Sequence, residues 1–304
     1  MNQQLFPQPA GIDGYQVLFS GCSVRELVRL ETGNLVRVLN LVQVPSLAGS
    51  LSFQLTYNSR AASDNHGFGY GWVHDWMARI EPSSTTPVYH DETGRRFTFE
   101  VDGSNWKLDQ SESLFQRIEL TSLPNNEWRI QHYPDGDALE FDSNGRLVRR
   151  INSLGHSLEA TYNGGGQLTQ IQEVVTGISV GRTIALSYAS NSITITDPRS
   201  KTYTLEYVDD NLVEVAGPEG CVLTFDYADP DDHLITQRID PVPRDPEEDP
   251  LVDQSWSYTF NTSGALLSVT DSRGLTLAYE YVEDYQEYVS GPEITDPSKK
   301  EVFR

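Results

Sequence analysis

Cysteine, methionine and basic residues are scarce in this chain of 304 residues. The two cysteines, Cys22 and Cys221, stand far apart with no second thiol or histidine at ligand spacing, which excludes a disulfide framework and a zinc site. Neither has the cationic surroundings of a reactive thiolate, apart from Arg25 near Cys22. Lys and Arg number 22 against 44 Asp and Glu, a formal charge of −22. Duplex nucleic acid and anionic membrane surfaces are bound through clustered cations, so both are disfavoured as partners. No apolar run is long enough for a membrane span. The start, Met1-Asn2-Gln3-Gln4-Leu5-Phe6-Pro7, has neither the basic n-region nor the apolar h-region of a signal peptide.

What the chain does have is apolar residues at every second position. Leu51, Phe53, Leu55 and Tyr57 share one face of a strand, as do Phe97, Phe99 and Val101. The pattern returns at Tyr203-Leu205-Tyr207, Cys221-Leu223-Phe225-Tyr227, Trp256-Tyr258-Phe260 and Leu275-Leu277-Tyr279-Tyr281, each run bounded by Gly, Pro, Asp or Asn. Thr93-Gly94, Asp102-Gly103, Asp135-Gly136 and Asn144-Gly145 supply the positive φ of tight turns. Asn144-Gly145 is expected to be a two-residue hairpin turn joining Glu140-Phe141-Asp142 to Arg146-Leu147-Val148. One short helix is expected near Ser23, where Glu26 follows three residues on as in a capping box.

After about residue 130 the sequence repeats. Tyr162, Tyr188, Tyr207 and Tyr227 are separated by 26, 19 and 20 residues, and Tyr281 follows after a longer interval. About twenty residues make two short strands and two turns, so each unit reads as one hairpin that must stack on its neighbours to hide its apolar face. Units open on an apolar pair, Leu168/Ile171, Leu212/Val215 and Leu266/Val269, carry a Gly, and close on Tyr. In the unit from Asn211 to Tyr227 the turn is Gly217-Pro218-Glu219-Gly220. Residues 240–253, with Pro241, Pro243, Pro246 and Pro250 among acids, form a surface insertion.

Candidate chemistry is thin. Gly67-Phe68-Gly69-Tyr70-Gly71-Trp72 looks like a phosphate loop, but aromatics alternate with the glycines and no Lys or Ser/Thr follows at the required spacing, which favours a structural turn. His66, His74, Asp75 and His90 have no serine or cysteine elbow near them. Asp229, Asp231 and Asp232 lack the Gly and terminal Glu of a calcium loop. No catalytic residue, cofactor or metal ligand is therefore assigned, and an enzyme is not expected. The repeat tyrosines are either core residues whose hydroxyls reach a turn or an exposed sugar-stacking ladder; exposure of Trp72, Trp106, Trp128 and Trp256 would separate the two.

These units resemble the Rhs/YD-repeat family of bacterial proteins, whose pattern is Gly-x-Leu-x-x-Ile/Val, a Gly-containing turn and Tyr-x-Tyr-Asp. Upstream, Glu31-Thr32-Gly33-Asn34-Leu35, then Leu55-Thr56-Tyr57-Asn58-Ser59-Arg60, then Gly67 to Trp72 are similar in order and spacing to the domain that precedes the repeats in that family. Tyr57, Asn58, Ser59, Gly67, Gly69, Gly71 and Trp72 carry that motif, and Tyr162, Tyr188, Tyr207, Tyr227, Tyr281, Gly145 and Gly220 mark the repeats. Asn152 and Leu154-Gly155-His156 depart from the usual Asp-x-x-Gly-Asn, and Ser200-Lys201 stands where Gly-Arg is usual, so irregular units are expected there.

The resemblance implies an all-β fold of antiparallel hairpin repeats forming a curved β-ribbon, part of a hollow shell. Residues 1–130 would be the pre-repeat β-rich domain and 131–304 the repeats. The implied role is a non-catalytic segment of a secreted toxin shell that helps encapsulate a C-terminal toxin domain; the alternative is a secreted carbohydrate-binding or adhesive module. Implied partners are the remainder of the shell and its toxin, or a second copy through an uncovered edge near Val302. Export would use a specialised bacterial system without a cleavable signal peptide, from a cytoplasmic precursor. No Asp-Pro-x-Gly autoproteolytic segment of the family occurs in the chain.

Overall fold

The computed structural model describes residues 15–21, 24–92, 96–102, 105–108, 118–132, 136–240 and 254–281. Cys22, Thr93-Gly94, Gly103, Asp135, the insertion from 241 to 253 and the C-terminal edge around Val302 lie outside them. Alternation dictates what forms: strands pair antiparallel with their sequence neighbours in two sheets, and the helical content is a few three-residue turns.

The first sheet has five strands, β1 (Tyr15–Gly21), β2 (Val24–Arg29), β3 (Asn34–Ser46), β4 (Gly49–Asn58) and β5 (Trp72–His74), in chain order. The segment expected as a helix near Ser23 is strand β2 from Val24 onward. Its alternation is hidden in the sequence because the inward positions are Glu26 and Val28, both 0% exposed, and a charge at an inward position mimics a surface residue. The second sheet is a ribbon running from Arg79–Glu81 to Thr276–Ala278, in which every strand pairs with the next. Among the described residues no residue-for-residue register joins its last strand to its first. The ladder breaks between His74 and Arg79 and then runs on through β-strand Trp128–His132 into the later hairpins.

The β3–β4 hairpin lies across the ribbon as a spine. Its tip meets the first repeats, where Asn152 Nδ2 donates to Leu47 O at 2.7 Å and Ser46 Oγ to Glu173 Oε1 at 2.8 Å. Its far end meets the last repeats, where Tyr57 OH donates to His233 O at 3.0 Å and Ser59 Oγ to Gly264 O at 2.7 Å. Leu51, Phe53, Leu55 and Tyr57, all 0% exposed, share one core with Ile130, Phe141, Ile171, Ile195, Leu205 and Phe225 of the ribbon. Val28 and Leu35 pack with Trp256, Tyr258, Leu266 and Tyr279 in a second, smaller core.

Six turns among the described residues repeat one geometry. Asp142, Asn152, Asn163, Asp197, Asn261 and Asp271 each open a three-residue loop, and each side-chain Oδ1 accepts from the backbone N–H two and four residues on. Asn144-Gly145 is therefore not a two-residue turn: Asp142 N–H donates to Arg146 O across Ser143, Asn144 and Gly145, and only Gly145 has positive φ, at 78°. The Asp142 carboxylate selects the longer loop by collecting its free N–H groups. Two-residue turns with both central residues at positive φ occur instead at Thr176-Gly177 and Asp209-Asp210.

Nor are the departing units irregular. Asn152 holds its loop as an Asp would, and Ser200 takes the glycine position at φ 64°. A side chain there costs about 1–2 kcal/mol. Replacing exposed Ser200 by Gly should therefore raise stability by about 0.5–1 kcal/mol after the added entropy of the unfolded chain, read as a higher urea midpoint.

Candidate functional site

The repeat tyrosines act as brackets between hairpins. Tyr162 OH donates to Leu147 O at 2.7 Å, Tyr188 OH to Leu168 O at 2.8 Å, Tyr227 OH to Leu212 O at 2.9 Å and Tyr281 OH to Leu266 O at 2.6 Å. In each case the acceptor is a leucine at the first or second position of an earlier strand. Tyr207 differs: its hydroxyl is buried with no hydrogen-bond partner among the described residues. Tyr227→Phe should thus cost about 1 kcal/mol by stranding Leu212 O, whereas Tyr207→Phe should be neutral or slightly stabilising. Parallel urea melts of the two variants check this, and equal losses would contradict it. Trp72, Trp128 and Trp256 are at most 8% exposed, and the large hydrophobic side chains exposed among the described residues are all aliphatic.

The pre-repeat motif is where sheet and ribbon meet. Tyr57 OH also accepts from Ile235 N–H at 3.3 Å, and its ring lies 5.3 Å from that of Trp72, which meets Phe225 at 5.6 Å. Asn58 Oδ1 accepts from Asn34 Nδ2, while Ser59 Oγ accepts from Leu35 N–H. Gly67, Gly69 and Gly71 hold φ of 88°, 95° and 76° and deliver Tyr70 to the ribbon, where Tyr70 N–H donates to Asp210 O and its ring stacks on His233 at 3.5 Å. The glycine-aromatic alternation is thus a structural loop. Two repeat turns approach the seam so closely that a Cβ has no room: one on Gly145 would stand 1.9 Å from Ile80 O, and one on Gly264 2.3 Å from Ser59 O. Gly220, at φ 78°, has open space around it.

Beneath the motif lies a buried ionic cluster. Glu26 and Arg37 are cross-strand partners on β2 and β3, and Arg37 Nε donates to Glu26 Oε1 at 2.6 Å. From the ribbon, Arg238 Nη1 stands 2.8 Å from the same oxygen, Arg238 pairs with Asp240 at 2.9 Å, and Tyr258 OH donates to Glu26. Glu26, Arg37 and Arg238 are all 0% exposed. Burial alone would raise the Glu26 pKa, but Arg238 and Arg37 together hold it below the ordinary carboxylate value. Burial pushes Asp240 up to about 6 in spite of Arg238. The Arg37 guanidinium lies 4.2 Å from the Tyr258 ring centre, with Nη1 and Nη2 unpaired among the described residues. The cluster was not anticipated from sequence, although Arg37 interrupts the inward stripe of Leu35 and Leu39, and a charge in that register signals a buried partner.

His66, His74, Asp75 and His90 do not form one constellation. His74 packs between Phe53 and Phe68 and its Nδ1 accepts from Trp76 N–H, the Asp75 carboxylate is held by Ser52 Oγ and Gln54 N–H, and His90 Nε2 lies 2.9 Å from Glu81. His66 and His74 share the lining of a cavity of about 370 Å³. Burial lowers the His74 pKa to about 3 and raises that of Asp75 to about 6. The folded state therefore keeps His74 neutral where the unfolded chain, near 6.5, takes a proton, so this stability is lost as pH falls below about 6.5. Asp75 opposes it, binding its proton first in the folded state. His74→Asn, whose oxygen can replace Nδ1 as acceptor, removes only the histidine contribution. Between pH 7 and 5 the variant should gain about 2 kcal/mol relative to the unsubstituted chain, measured by urea unfolding at both pH values.

Residues 25–99, which hold the seam motif, match a family described only as a domain of unknown function, DUF6531. No curated protein matches the chain. Among solved structures, the crystal structure of TcdB2-TccC3-Cdc42 is similar at 10% identity and a TM-score of 0.33, over 89% of this chain and 17% of that one. The chain thus spans about a sixth of that chain's length. No helix among the described residues is long and apolar enough to cross a membrane.

Proposed function

We propose that this chain is a structural, non-catalytic wall segment of a secreted Rhs-type toxin, in which the ribbon helps to enclose a C-terminal toxin domain. The observation that carries the reading is the tyrosine bracket: four hydroxyls donate to carbonyls of earlier strands and so tie strand to strand along the ribbon. The repeat sequence pattern supports it from a different direction. The chain's partners in this reading are the remainder of the shell and the toxin, with export by a specialised system.

The test is co-expression with the downstream part of an Rhs-type polypeptide that bears its toxin. The chain should co-purify with that part and slow tryptic cleavage of the toxin by about tenfold or more, since cleavage follows the accessible population. Absence of both effects would overturn the shell reading. Glycan-array binding abolished by Tyr227→Ala without loss of folding would replace it with the carbohydrate-binding alternative; the shell reading instead expects that substitution to cost about 3 kcal/mol.

A further inference from the structure

A cleft of about 460 Å³ opens between the tip of the β3–β4 hairpin and the first repeat hairpins, away from the ionic cluster. One side of it is aliphatic, with Leu139, Leu147, Ile151 and Leu158, and the rest is polar, with Ser50, Ser52 and Asn152 among the lining residues. Two carboxylates line it, Glu92 and Asp137, and neither is in an ion pair among the described residues. Asp137 uses Oδ1 to accept from Ser153 N–H, leaving Oδ2 unbonded among the described residues. Tyr89 also lines the cleft; it is 3% exposed, and its hydroxyl has no hydrogen-bond partner among the described residues. Burial raises the Tyr89 pKa, and the charges of Glu92 and Asp91 raise it further against the opposing charge of Arg150. The cleft's own cation, Arg150, is already engaged: it donates to Asp75 O and lies over the Trp76 ring at 4.4 Å. His132 is the other basic group at the wall.

Immediately outside, Leu47 and Leu154 are 60% and 75% exposed. They adjoin the cleft because Asn152, a wall residue, donates to Leu47 O and accepts from Leu154 N–H. Unpaired carboxylates over an aliphatic wall fit one kind of group, a cation on an apolar stem, and the tyrosine hydroxyl supplies an oxygen acceptor beside them. The exposed leucines fit flanking apolar residues, which a free amine would lack.

We infer that this cleft is a docking site for a partner protein, and that it takes a lysine or arginine side chain into the pocket between Glu92, Asp137 and Tyr89 while Leu47 and Leu154 receive the residues on either side. Complementarity of charge supports the same kind of partner, since the chain carries −22. The inference does not depend on the shell reading.

The probe is the blocked tripeptide acetyl-Leu-Lys-Leu-amide, compared with the same peptide carrying norleucine in place of lysine, by titration calorimetry against the full chain. The lysine peptide should bind at least about tenfold more tightly than the norleucine one, and the advantage should vanish in the Glu92→Gln, Asp137→Asn double variant, both sites being on the surface. Leu154→Ser should weaken the peptide without changing the binding of 1,4-diaminobutane. Equal binding of the two peptides, or none, would overturn the site. Diaminobutane binding as tightly as the lysine peptide would overturn the protein partner in favour of a free polyamine.

Discussion

Replacing Glu26 by Gln is expected to cost about 3–5 kcal/mol, among the largest effects of any single substitution in the chain. The carboxylate is shared by Arg37 and Arg238, and all three side chains are fully buried. Gln keeps the shape and the bond from Tyr258 but removes the charge that two buried guanidinium groups share, in a place where water cannot compensate. The same group sets an acid limit. Its folded pKa lies below the unfolded value, so its contribution is complete above about pH 4.5 and disappears as pH falls through the lower, folded value. Urea unfolding at pH 7 checks the size of the effect. A loss under about 1 kcal/mol would mean that the cluster is hydrated and contributes little.

Gly145→Ala should be nearly as damaging, and a second substitution explains why. Gly145 and Gly155 occupy the same position of the same turn, at φ 78° and 79°. At Gly155 nothing stands within 4 Å of an added Cβ, so Gly155→Ala should cost only the positive φ, about 1–2 kcal/mol. At Gly145 the methyl group would meet Ile80 O, and the turn must move off the seam, losing the 2.8 Å bond from Ile80 N–H to Gly145 O. Orphaning that buried donor adds about 1–3 kcal/mol, for a total of about 2–5. Paired melts of the two variants isolate the seam from the turn; equal losses would show that Gly145 matters only for its φ.

The strands and the stacking of hairpins were legible because alternation survives wherever the inward residues are apolar, as from Leu51 to Tyr57. The reading failed where a charge faces inward, at Glu26 on β2. It also failed at Asn144-Gly145, because the dipeptide's hairpin preference is local while the Asp142 side chain two residues earlier decides the loop length. Ser200 shows the converse: six loops share a backbone fixed by their first residue, so the glycine can be lost without losing the turn. The pre-repeat motif was legible as a constellation, but not its partners, since the turns that Tyr57, Ser59 and Tyr70 reach lie some 140 to 205 residues further along the chain.

The central claim is that sheet and ribbon open as one unit, held by the seam from Gly145 to Gly264. Native-state hydrogen exchange on the segments 49–58 and 192–208 tests it most directly, with Gly145→Ala as the perturbation. The account predicts opening free energies for the two segments that agree within about 1 kcal/mol and fall together in the variant. A spine that opens well below the ribbon, with the ribbon unaffected by the substitution, would contradict it.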